Sequence, residues 1–338
     1  MSSIKIAVSS VTGIGLGAGI ANYLWGGSGT STSSSTQTAP SAPTAPNFPV
    51  RGPDGSLQLV GSNVNPTAFF QYGFPGPIHD LQTRQEFVSC YDREKRNPSW
   101  VVEHITPESL NVKNADRKNS VFKEDEQIPT IFRGKLRDYF RSGYDRGHQA
   151  PAANAKFSQV AMNETFMLTN MSPQVGEGFN RDYWAHLEYF CRQLTDKYNS
   201  VRIVTGPLYL PKYDAKDGKF KVSYEVIGNP PNIAVPTHFF KLVVAEQPKR
   251  NPNTDDLSVA AFVLPNDVIP NETKLTDFVV PVEALERSSG LQFLQKVPLN
   301  KKKDLCKQVE CKITVREFNN SMKQLPAPSQ PLALPPPK

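Results

Sequence analysis

Two short segments of the chain carry residue types that could act together on a phosphodiester. The segment DRGH, which ends at His148, places an imidazole beside a cation, and neutral imidazole can take a proton from water near pH 7. Further along, Asn180 offers a neutral oxygen ligand and Glu188 offers a carboxylate. A base, a ligand for a hard cation and arginines together suit phosphodiester cleavage. We therefore predict one hydrolytic site built from both segments.

Gly147 gives the backbone freedom for a sharp turn, so we expect the imidazole of His148 at an exposed position. The competing interpretation of any single histidine is an ordinary surface or core residue. Three other histidines have no comparable neighbourhood and are not assigned a role: His79, His104 and His238.

A basic stretch leads into the histidine motif. Residues 133–146 hold 5 Arg or Lys and 2 Asp, a local net charge of 5 − 2 = +3, with Tyr139, Phe140 and Tyr144 interleaved. Such a stretch can bind phosphates through charge and bases through stacking. A solvated basic strand and loop explains the composition equally well.

The residues from Asn180 to Tyr198 predict a helix. Its apolar side chains recur in steps of three and four: Trp184, Leu187, Cys191, Leu194 and Tyr198. At about 100° per residue, Asn180, Trp184 and Glu188 share one flank of that helix. His186 points away from this flank, so we exclude it from catalysis.

Two roles compete for Asn180. At the start of a helix, asparagine commonly caps the free backbone N–H groups. Alternatively, its side-chain oxygen binds a hard cation such as Mg2+, which takes few protein oxygens and retains several waters. Glu188, two turns along, would then orient water beside the cation, whereas Trp184 is most simply a core residue.

Composition bounds the class of protein. The 338 residues suffice for one large domain or two small ones, and a hydrophobic content of 38% supports a real core. The net charge of +6 fits a polyanionic partner without proving one. The four cysteines match no zinc pattern: Cys90, Cys191, Cys306 and Cys311. We expect unpaired thiols, with a Cys306–Cys311 disulfide as the alternative in an oxidising compartment.

The chain divides into four segments. Residues 1–25 form an apolar targeting or anchor segment, for which a membrane anchor, a cleaved signal and the apolar part of a presequence all remain open. Residues 26–64 are a linker rich in Ser, Thr and Pro, and residues 65–298 form the folded domain. Residues 299–338 are a basic and Pro-rich tail.

Strands and helices alternate irregularly within the domain, which predicts an α+β fold. Runs rich in β-branched and aromatic residues predict strands at 99–105, 201–206, 223–227, 239–245 and 260–264. Val282–Ser288 predicts a short helix, because Pro281 precedes it and Gly290 follows its end.

The motifs together resemble those of the DNA/RNA non-specific nucleases of the ββα-metal class. The resemblance rests on DRGH followed by an Ala-Pro-Ala run, on TNMSPQ at residues 169–174, and on Asn180 with the helix from Trp184 to Glu188. It covers roughly residues 65–298 and is closest to the endonuclease G branch, including fungal mitochondrial nucleases. It implies a mixed, mainly antiparallel sheet flanked by helices, with a ββα-metal motif.

The resemblance also implies roles for individual residues. His148 matches the general base, and Asn180 matches the direct protein ligand of a single divalent cation, Mg2+ with Mn2+ as the alternative. Glu188 matches the carboxylate that holds water at the metal. Arg146 lies in the motif itself, and Arg117 looks like the upstream arginine that contacts phosphate. Two further residues are expected to support the site: Asp145 behind the histidine segment and Asn170 as a positioning residue.

The implied substrates are DNA and RNA, cleaved to leave 5′-phosphate ends. The branch also implies a homodimer in the mitochondrial intermembrane space or at the inner membrane, to which the N-terminal segment could attach the protein. The alternative function is an organelle nucleic-acid-binding or scaffold protein without catalysis.

Overall fold

The structure is a computed structural model that describes residues 69–73 and 80–315. The predicted targeting segment, the linker, His79 and the Pro-rich end of the chain lie outside these residues. Within the described ranges, no helix has the length and apolarity needed to cross a bilayer.

Short strands dominate the described chain, and the longest helix, α3, has eleven residues. In chain order the elements are β1 (Asp80–Thr83), β2 (Phe87–Asp92), β3 (Asn97–Ile105), α1 (Pro107–Asn111), β4 (Tyr144–His148), α2 (Gln159–Thr165), β5 (Met171–Val175), α3 (Tyr183–Gln193), β6 (Tyr198–Leu208), β7 (Lys212–Asp214), β8 (Lys219–Lys221), β9 (Val226–Ile227), β10 (Ile233–Ala234), β11 (His238–Pro248), β12 (Leu257–Pro265), β13 (Val279–Val280), α4 (Val282–Ser289), β14 (Lys302–Asp304) and α5 (Leu305–Gln308).

Eight strands form one main sheet in the order β1-β2-β3-β6-β11-β12-β13, with β14 also paired to β12. Every pair in this sheet is antiparallel except β12 with β14. The hairpins β4–β5, β7–β8 and β9–β10 form separate two-stranded sheets. The predicted α+β class with a mixed, mainly antiparallel sheet is confirmed.

Most predicted elements lie where the sequence pattern indicated. The expected strands at 99–105, 201–206, 239–245 and 260–264 lie inside β3, β6, β11 and β12. The strand predicted at 223–227 is wrong, because only Val226 and Ile227 pair. The helix predicted at Val282 is α4, and Gly290 ends it with a left-handed φ of 71° that glycine adopts without strain.

The two sides of the main sheet pack against different elements. On one side, which we call the α3 face, Ile105, Ile203 and Val243 contact the buried side chains of α3. On the other side, the α4 face, Val102, Val204 and Leu242 pack with Leu285 of α4. Neighbouring residues of a strand point to opposite faces, so both faces of this sheet are covered.

The packed core extends beyond the predicted domain boundary at Pro298. Leu305, Val309 and Ile313 are buried against the α3 face, and β14 adds a strand beside β12. A disulfide joins Cys306 to Cys311 within this segment, so the expectation of unpaired thiols is wrong for these two cysteines. Cys90 and Cys191 are free and buried.

Candidate active site

The histidine motif lies in the hairpin β4–β5, where His148 pairs with Met171 and Gly147 pairs with Ser172. The expected turn at Gly147 is wrong, since this residue is inside a strand. A Cβ atom there would overlap the side chain of Gln174 from the opposite strand. Glycine is therefore required for close approach of the two strands rather than for a bend.

His148 is buried, with 9% of its surface exposed, so the expected exposed imidazole is also wrong. Its ring lies 4.8 Å from the centre of the Phe166 ring and 5.8 Å from that of Phe122. The Arg146 guanidinium lies 4.3 Å from the centre of Phe122, and that of Arg117 lies 5.5 Å from the centre of Phe166. Two aromatic rings thus bring three predicted residues into one cluster, although they are distant in sequence.

The surroundings keep the imidazole neutral. Burial lowers the pKa of His148 well below its ordinary value, and the charges of Arg117 and Arg146 lower it further. Within the described chain, the Nε2 atom of His148 is buried without a hydrogen-bond partner. A buried polar atom without a partner is costly, which favours a ligand or water as its partner in the working site.

Asn180 is outside the helix in which it was predicted to lie. Residues Gly176–Asn180 form an irregular turn, and α3 begins only at Tyr183. The predicted helix was therefore too long at its start, and its predicted end at Tyr198 is the first residue of β6. Capping by Asn180 is excluded, because Asp182 is the residue that precedes the helix.

The side chain of Asn180 is attached to the histidine strand. Its Nδ2 donates to the Asp145 carboxylate at 2.9 Å, and Arg181 Nε donates to the same oxygen at 2.8 Å. These bonds leave the carbonyl oxygen of Asn180 as the available acceptor. In the described chain Asn180 makes no direct hydrogen bond to His148 or Glu188 and reaches the cluster through Asp145.

Glu188 is a half-buried residue of α3. Burial raises the pKa of its carboxyl group, whereas the charges of Lys241, Arg192 and Arg117 lower it. Arg117 thus influences both His148 and Glu188. The charge of Arg117 therefore lowers the pKa of the predicted base and the pKa of the predicted water-holding carboxylate.

Asn170 fixes the chain immediately after the histidine. Its side chain accepts from the backbone of Ala150 at 2.9 Å and donates to the carbonyl groups of Ala150 and Thr165 at 2.9 and 2.8 Å. The residue is fully buried. These bonds hold the backbone that follows His148, and the positioning role of Asn170 stays a prediction.

Several charged residues near Glu188 were not identified from the sequence. Glu103 and Lys241 are buried in strands β3 and β11, and Asn154 and Arg192 connect β3 to α3. The only signal was a charge inside an otherwise apolar strand, as in HFFKLVV at 238–244. That signal is weak, because a polar residue that alternates with apolar residues along a strand usually faces solvent.

The described residues contain no group of three or more His, Cys, Asp or Glu suited to a metal ion. The oxygen donors predicted from the sequence for the cation and its waters are the carbonyl of Asn180 and the carboxylate of Glu188. A sparse oxygen set of this kind suits Mg2+, which retains most of its waters.

A β-hairpin that carries the histidine, followed by a helix that carries the carboxylate, has the order of a ββα-metal nuclease. The profile of the DNA/RNA non-specific endonucleases matches residues 65–300, and the chain belongs to this family. It is therefore an enzyme, a metal-dependent nuclease that hydrolyses phosphodiesters. The non-catalytic alternative is set aside.

The chain is similar to named nucleases along most of its length. It is 64% identical to the mitochondrial nuclease of Saccharomyces cerevisiae over 334 residues, 99% of this chain and 98% of that protein. Nuclease 1, mitochondrial, of Schizosaccharomyces pombe is 56% identical over 78% of this chain and 80% of its own length. These relatives support a mitochondrial location.

A solved structure of similar fold is the EndoG/EndoGI complex, described as showing the mechanism of EndoG inhibition. Its matching chain superposes with a TM-score of 0.66 at 44% identity and covers 70% of this chain and 96% of its own length. Human endonuclease G, mitochondrial, is 41% identical over 67% of this chain and 73% of its own length. The endonuclease G relationship inferred from the motifs is confirmed.

Proposed function

We propose that this enzyme cleaves the backbone of DNA and RNA with His148 as general base and a single divalent cation held by Asn180. The observation that carries the proposal is the Nε2 of His148, which is buried without a hydrogen-bond partner in the described chain and is influenced by the charges of Arg117 and Arg146. A neutral imidazole in this position can accept a proton at neutral pH, whereas an imidazolium cannot.

In the proposed reaction, His148 takes a proton from water as the water oxygen attacks phosphorus. The bond from phosphorus to the 3′ oxygen breaks, and that oxygen gains a proton from solvent. The products are a 5′-phosphate and a 3′-hydroxyl. The proton passes from His148 to solvent readily, because burial and two cations disfavour the imidazolium.

The arginines stabilise the charge that grows on the phosphate. Arg117 is exposed and Arg146 is half-buried, and each guanidinium lies over an aromatic ring. Positive charge placed beside the phosphate stabilises the transition state. Each guanidinium presents several N–H donors to phosphate oxygens. The same charges lower the pKa of His148 and so keep its imidazole in the neutral form, which is the form that can accept a proton.

Asn180 and Glu188 would hold Mg2+, or alternatively Mn2+, together with its waters. When bound, the cation supplies Lewis-acid stabilisation of the charge on the phosphate and the leaving oxygen. The bond from Asn180 Nδ2 to Asp145 fixes the amide so that its oxygen is free to bind the cation. Glu188 accepts hydrogen bonds from water beside it.

These groups address only the backbone of the substrate. Contacts to phosphate carry no direct sequence information, so we expect DNA and RNA to be cleaved with weak sequence preference. We further propose a homodimer in the mitochondrial intermembrane space or at the inner membrane. This part of the proposal rests on the family resemblance, and the N-terminal segment that would attach to a membrane lies outside the described residues.

The test is degradation of plasmid DNA and of RNA by the full chain with Mg2+ or with a chelator. We expect His148→Ala and Asn180→Ala each to lose at least about 100-fold in rate. Excess Mg2+ should partly restore only the Asn180 variant. His238→Ala provides a matched control, since His238 is a half-buried histidine outside the cluster. Undiminished cleavage by His148→Ala would contradict the assignment.

A second measurement identifies the chemical group at the 5′ ends of the cleavage products. Products with 5′-phosphates should accept label from a polynucleotide kinase only after phosphatase treatment. Products that accept label directly would have 5′-hydroxyls and would contradict the proposed bond cleavage.

A further inference from the structure

The three aromatic residues of the basic stretch before the histidine strand have different environments in the structure. Tyr139 is buried in an apolar cluster, with 5% of its surface exposed. Tyr144 is half-buried, and its hydroxyl donates to Glu225 at 3.0 Å. Phe140 is 54% exposed. Stacking on a base, which the composition of the stretch allows for all three rings, is therefore best served by Phe140.

The turn that presents this ring, residues 140–143, is held firmly at both ends. Before it, the buried carboxylate of Asp138 accepts from the side chain of Asn232 at 2.6 Å. Within it, the hydroxyl of Ser142 donates to the carbonyl of Tyr139 at 3.0 Å and accepts from the first N–H of β4 at 3.2 Å. A ring on a fixed turn loses less conformational freedom when it binds a ligand.

The residue after Phe140 has an unfavourable backbone conformation. Arg141 has a φ of 54°, in the left-handed region that a residue with a Cβ atom rarely adopts. In this conformation its guanidinium lies 5.1 Å from the centre of the Phe140 ring. Glycine would adopt the same φ without strain. Strain of this kind often marks a functional site, and here it keeps a cation beside an exposed ring.

The exposed charges of the turn are positive. Arg137 and Arg141 are both exposed, and neither forms an ion pair with a carboxylate in the part of the chain that the structure describes. The two carboxylates of the basic stretch are engaged elsewhere, because Asp138 is buried and Asp145 pairs with Arg181. Cations without acidic partners suit the phosphates of a nucleic acid.

The turn lies within reach of a substrate held at the histidine, because β4 follows it directly. Tyr144, Arg146 and His148 are two residues apart in β4 and share one of its faces. At about 3.3 Å per residue, the strand spans about 13 Å between Tyr144 and His148. Successive phosphates of one nucleic-acid strand are about 3.4 Å apart or more. A strand bound at His148 therefore reaches the turn within about four nucleotides.

We propose that Phe140 and Arg141 form a subsite on which an unpaired base of the cleaved strand stacks, while Arg137 and Arg141 contact its phosphates. An aromatic ring stacks on any base, so the subsite adds affinity without sequence preference. The bases of a duplex are paired and stacked on one another, and exposing one of them is costly. The inference rests on the proposed nuclease function and deepens it, since it names an unpaired base as the ligand.

The test compares initial rates on a single-stranded DNA oligonucleotide and on the corresponding duplex, over a range of substrate concentrations with Mg2+. We expect Phe140→Ala to raise KM for the single strand about tenfold and to change kcat less than about twofold, because stacking contributes equally before and during the reaction. KM for the duplex should change less than about twofold. Phe140→Trp should keep the low KM for the single strand.

Phe220→Ala is the matched control, because Phe220 is 51% exposed and lies in the separate hairpin β7–β8. Its KM for both substrates should equal that of the wild type. An unchanged KM for the single strand in Phe140→Ala would overturn the inference. So would a rise of equal size on the duplex, or an equal rise in Phe220→Ala.

Arg141→Gly separates the role of the cation from that of the backbone. The variant should unfold at a higher temperature than the wild type, because glycine adopts the positive φ without strain. It should nevertheless raise KM for the single strand, since the guanidinium beside the ring is lost. Greater stability with an unchanged KM would exclude Arg141 from the subsite.

A binding measurement without cleavage distinguishes this inference from the proposed mechanism. In a chelator, the single-stranded oligonucleotide should bind about tenfold more weakly to His148→Ala with Phe140→Ala than to His148→Ala alone. An oligonucleotide of the same length without bases should bind both proteins equally. Equal affinities for the normal oligonucleotide would refute the subsite alone. Undiminished cleavage by His148→Ala would refute the base assignment and leave the binding difference as evidence for the subsite.

Discussion

The two faces of the main sheet are made by the same strands and differ in how they bury charge. On the α4 face, Arg202 and Glu246 form a direct ion pair, and the Tyr72 hydroxyl donates to Glu246 at 2.6 Å. On the α3 face, Lys241 donates to Thr205 and Glu103 accepts from Asn154, so each buried charge has a neutral hydrogen-bond partner. A direct pair compensates its own burial, whereas the charges on the α3 face are hydrogen-bonded to neutral side chains.

The apolar residues of the two faces are similar, so packing does not explain the difference. Leu242 on one side and Val243 on the other are both fully buried in their clusters. What distinguishes the α3 face is the helix that covers it, since α3 carries Glu188. The rule that the first two predictions test is that the α3 face serves activity whereas the α4 face serves stability.

The largest expected effect is a loss of activity caused by a substitution on the α3 face. Glu188→Gln should lower the cleavage rate by about 100-fold or more, because an amide cannot accept a proton or orient water as a carboxylate does. The variant should be at least as thermally stable as the wild type, since a buried carboxyl group is costly to ionise. Glu283→Gln, an exposed position on α4, is the control, and a comparable loss there would contradict the rule.

On the α4 face we expect a substitution to lower stability and to leave activity unchanged. Leu242→Ala should lower the free energy of unfolding by about 2–5 kcal/mol, because it leaves a cavity in a closed apolar cluster. The rate per folded molecule, measured well below the melting temperature, should equal that of the wild type. A rate loss similar to that of Glu188→Gln would show that the two faces are not independent.

Two histidines allow a matched comparison of pH and stability. The pKa of His148 is well below its ordinary value, and burial lowers that of His238 to about 4. Between pH 6.5 and its lowered pKa, each imidazole is neutral in the folded chain but protonated in the unfolded chain. The stability that is present above pH 6.5 is therefore lost as the pH falls toward the pKa of the folded state. Replacing either by Gln should reduce the fall in unfolding free energy between pH 7 and 5 by roughly 2 kcal/mol.

Urea unfolding at the two pH values measures this change, and cleavage assays distinguish the variants. Only His148→Gln should lose activity. A wild-type pH dependence of stability in His148→Gln would mean that the pKa of His148 is the same in the folded and the unfolded chain, which would contradict the lowered pKa of the buried imidazole.

The smallest expected effect concerns the C-terminal segment. Cys306→Ser with Cys311→Ser should cost roughly 2 kcal/mol or less, because the disulfide closes a short loop. Activity at low temperature should be unchanged, since Leu305 and Val309 still pack beneath α3. Thermal unfolding with and without reductant provides the measurement, and loss of activity on reduction would contradict the expectation.

Much of the fold could be predicted because its strongest signals are local. Strands β3, β6, β11 and β12 are dense in β-branched and aromatic residues, and Gly290 marks the end of α4. The apolar stripe predicted from Trp184 to Leu194 is likewise buried in the core. The start of α3 could not be predicted, because Asn180 bonds to Asp145, which is distant in sequence.

The site was predicted only in part, for a physical reason. His148, Arg117 and Arg146 belong to recognisable motifs, and in the structure all three contact the rings of Phe122 or Phe166. Glu103 and Lys241 were missed because a charged residue in an alternating strand normally faces solvent. Here a helix covers that face, and only tertiary structure reveals that the charges are buried.

The C-terminal segment also bears on the order in which the enzyme becomes functional. Leu305, Val309 and Ile313 complete the apolar layer behind α3, although they lie more than a hundred residues after it in the chain. A polypeptide that emerges from a ribosome or a membrane pore with its N-terminus first presents His148, Asn180 and Glu188 long before this layer can close. The proposed catalytic groups therefore belong to an incomplete core until these residues arrive, and we expect nuclease activity only after the C-terminal segment has packed against α3.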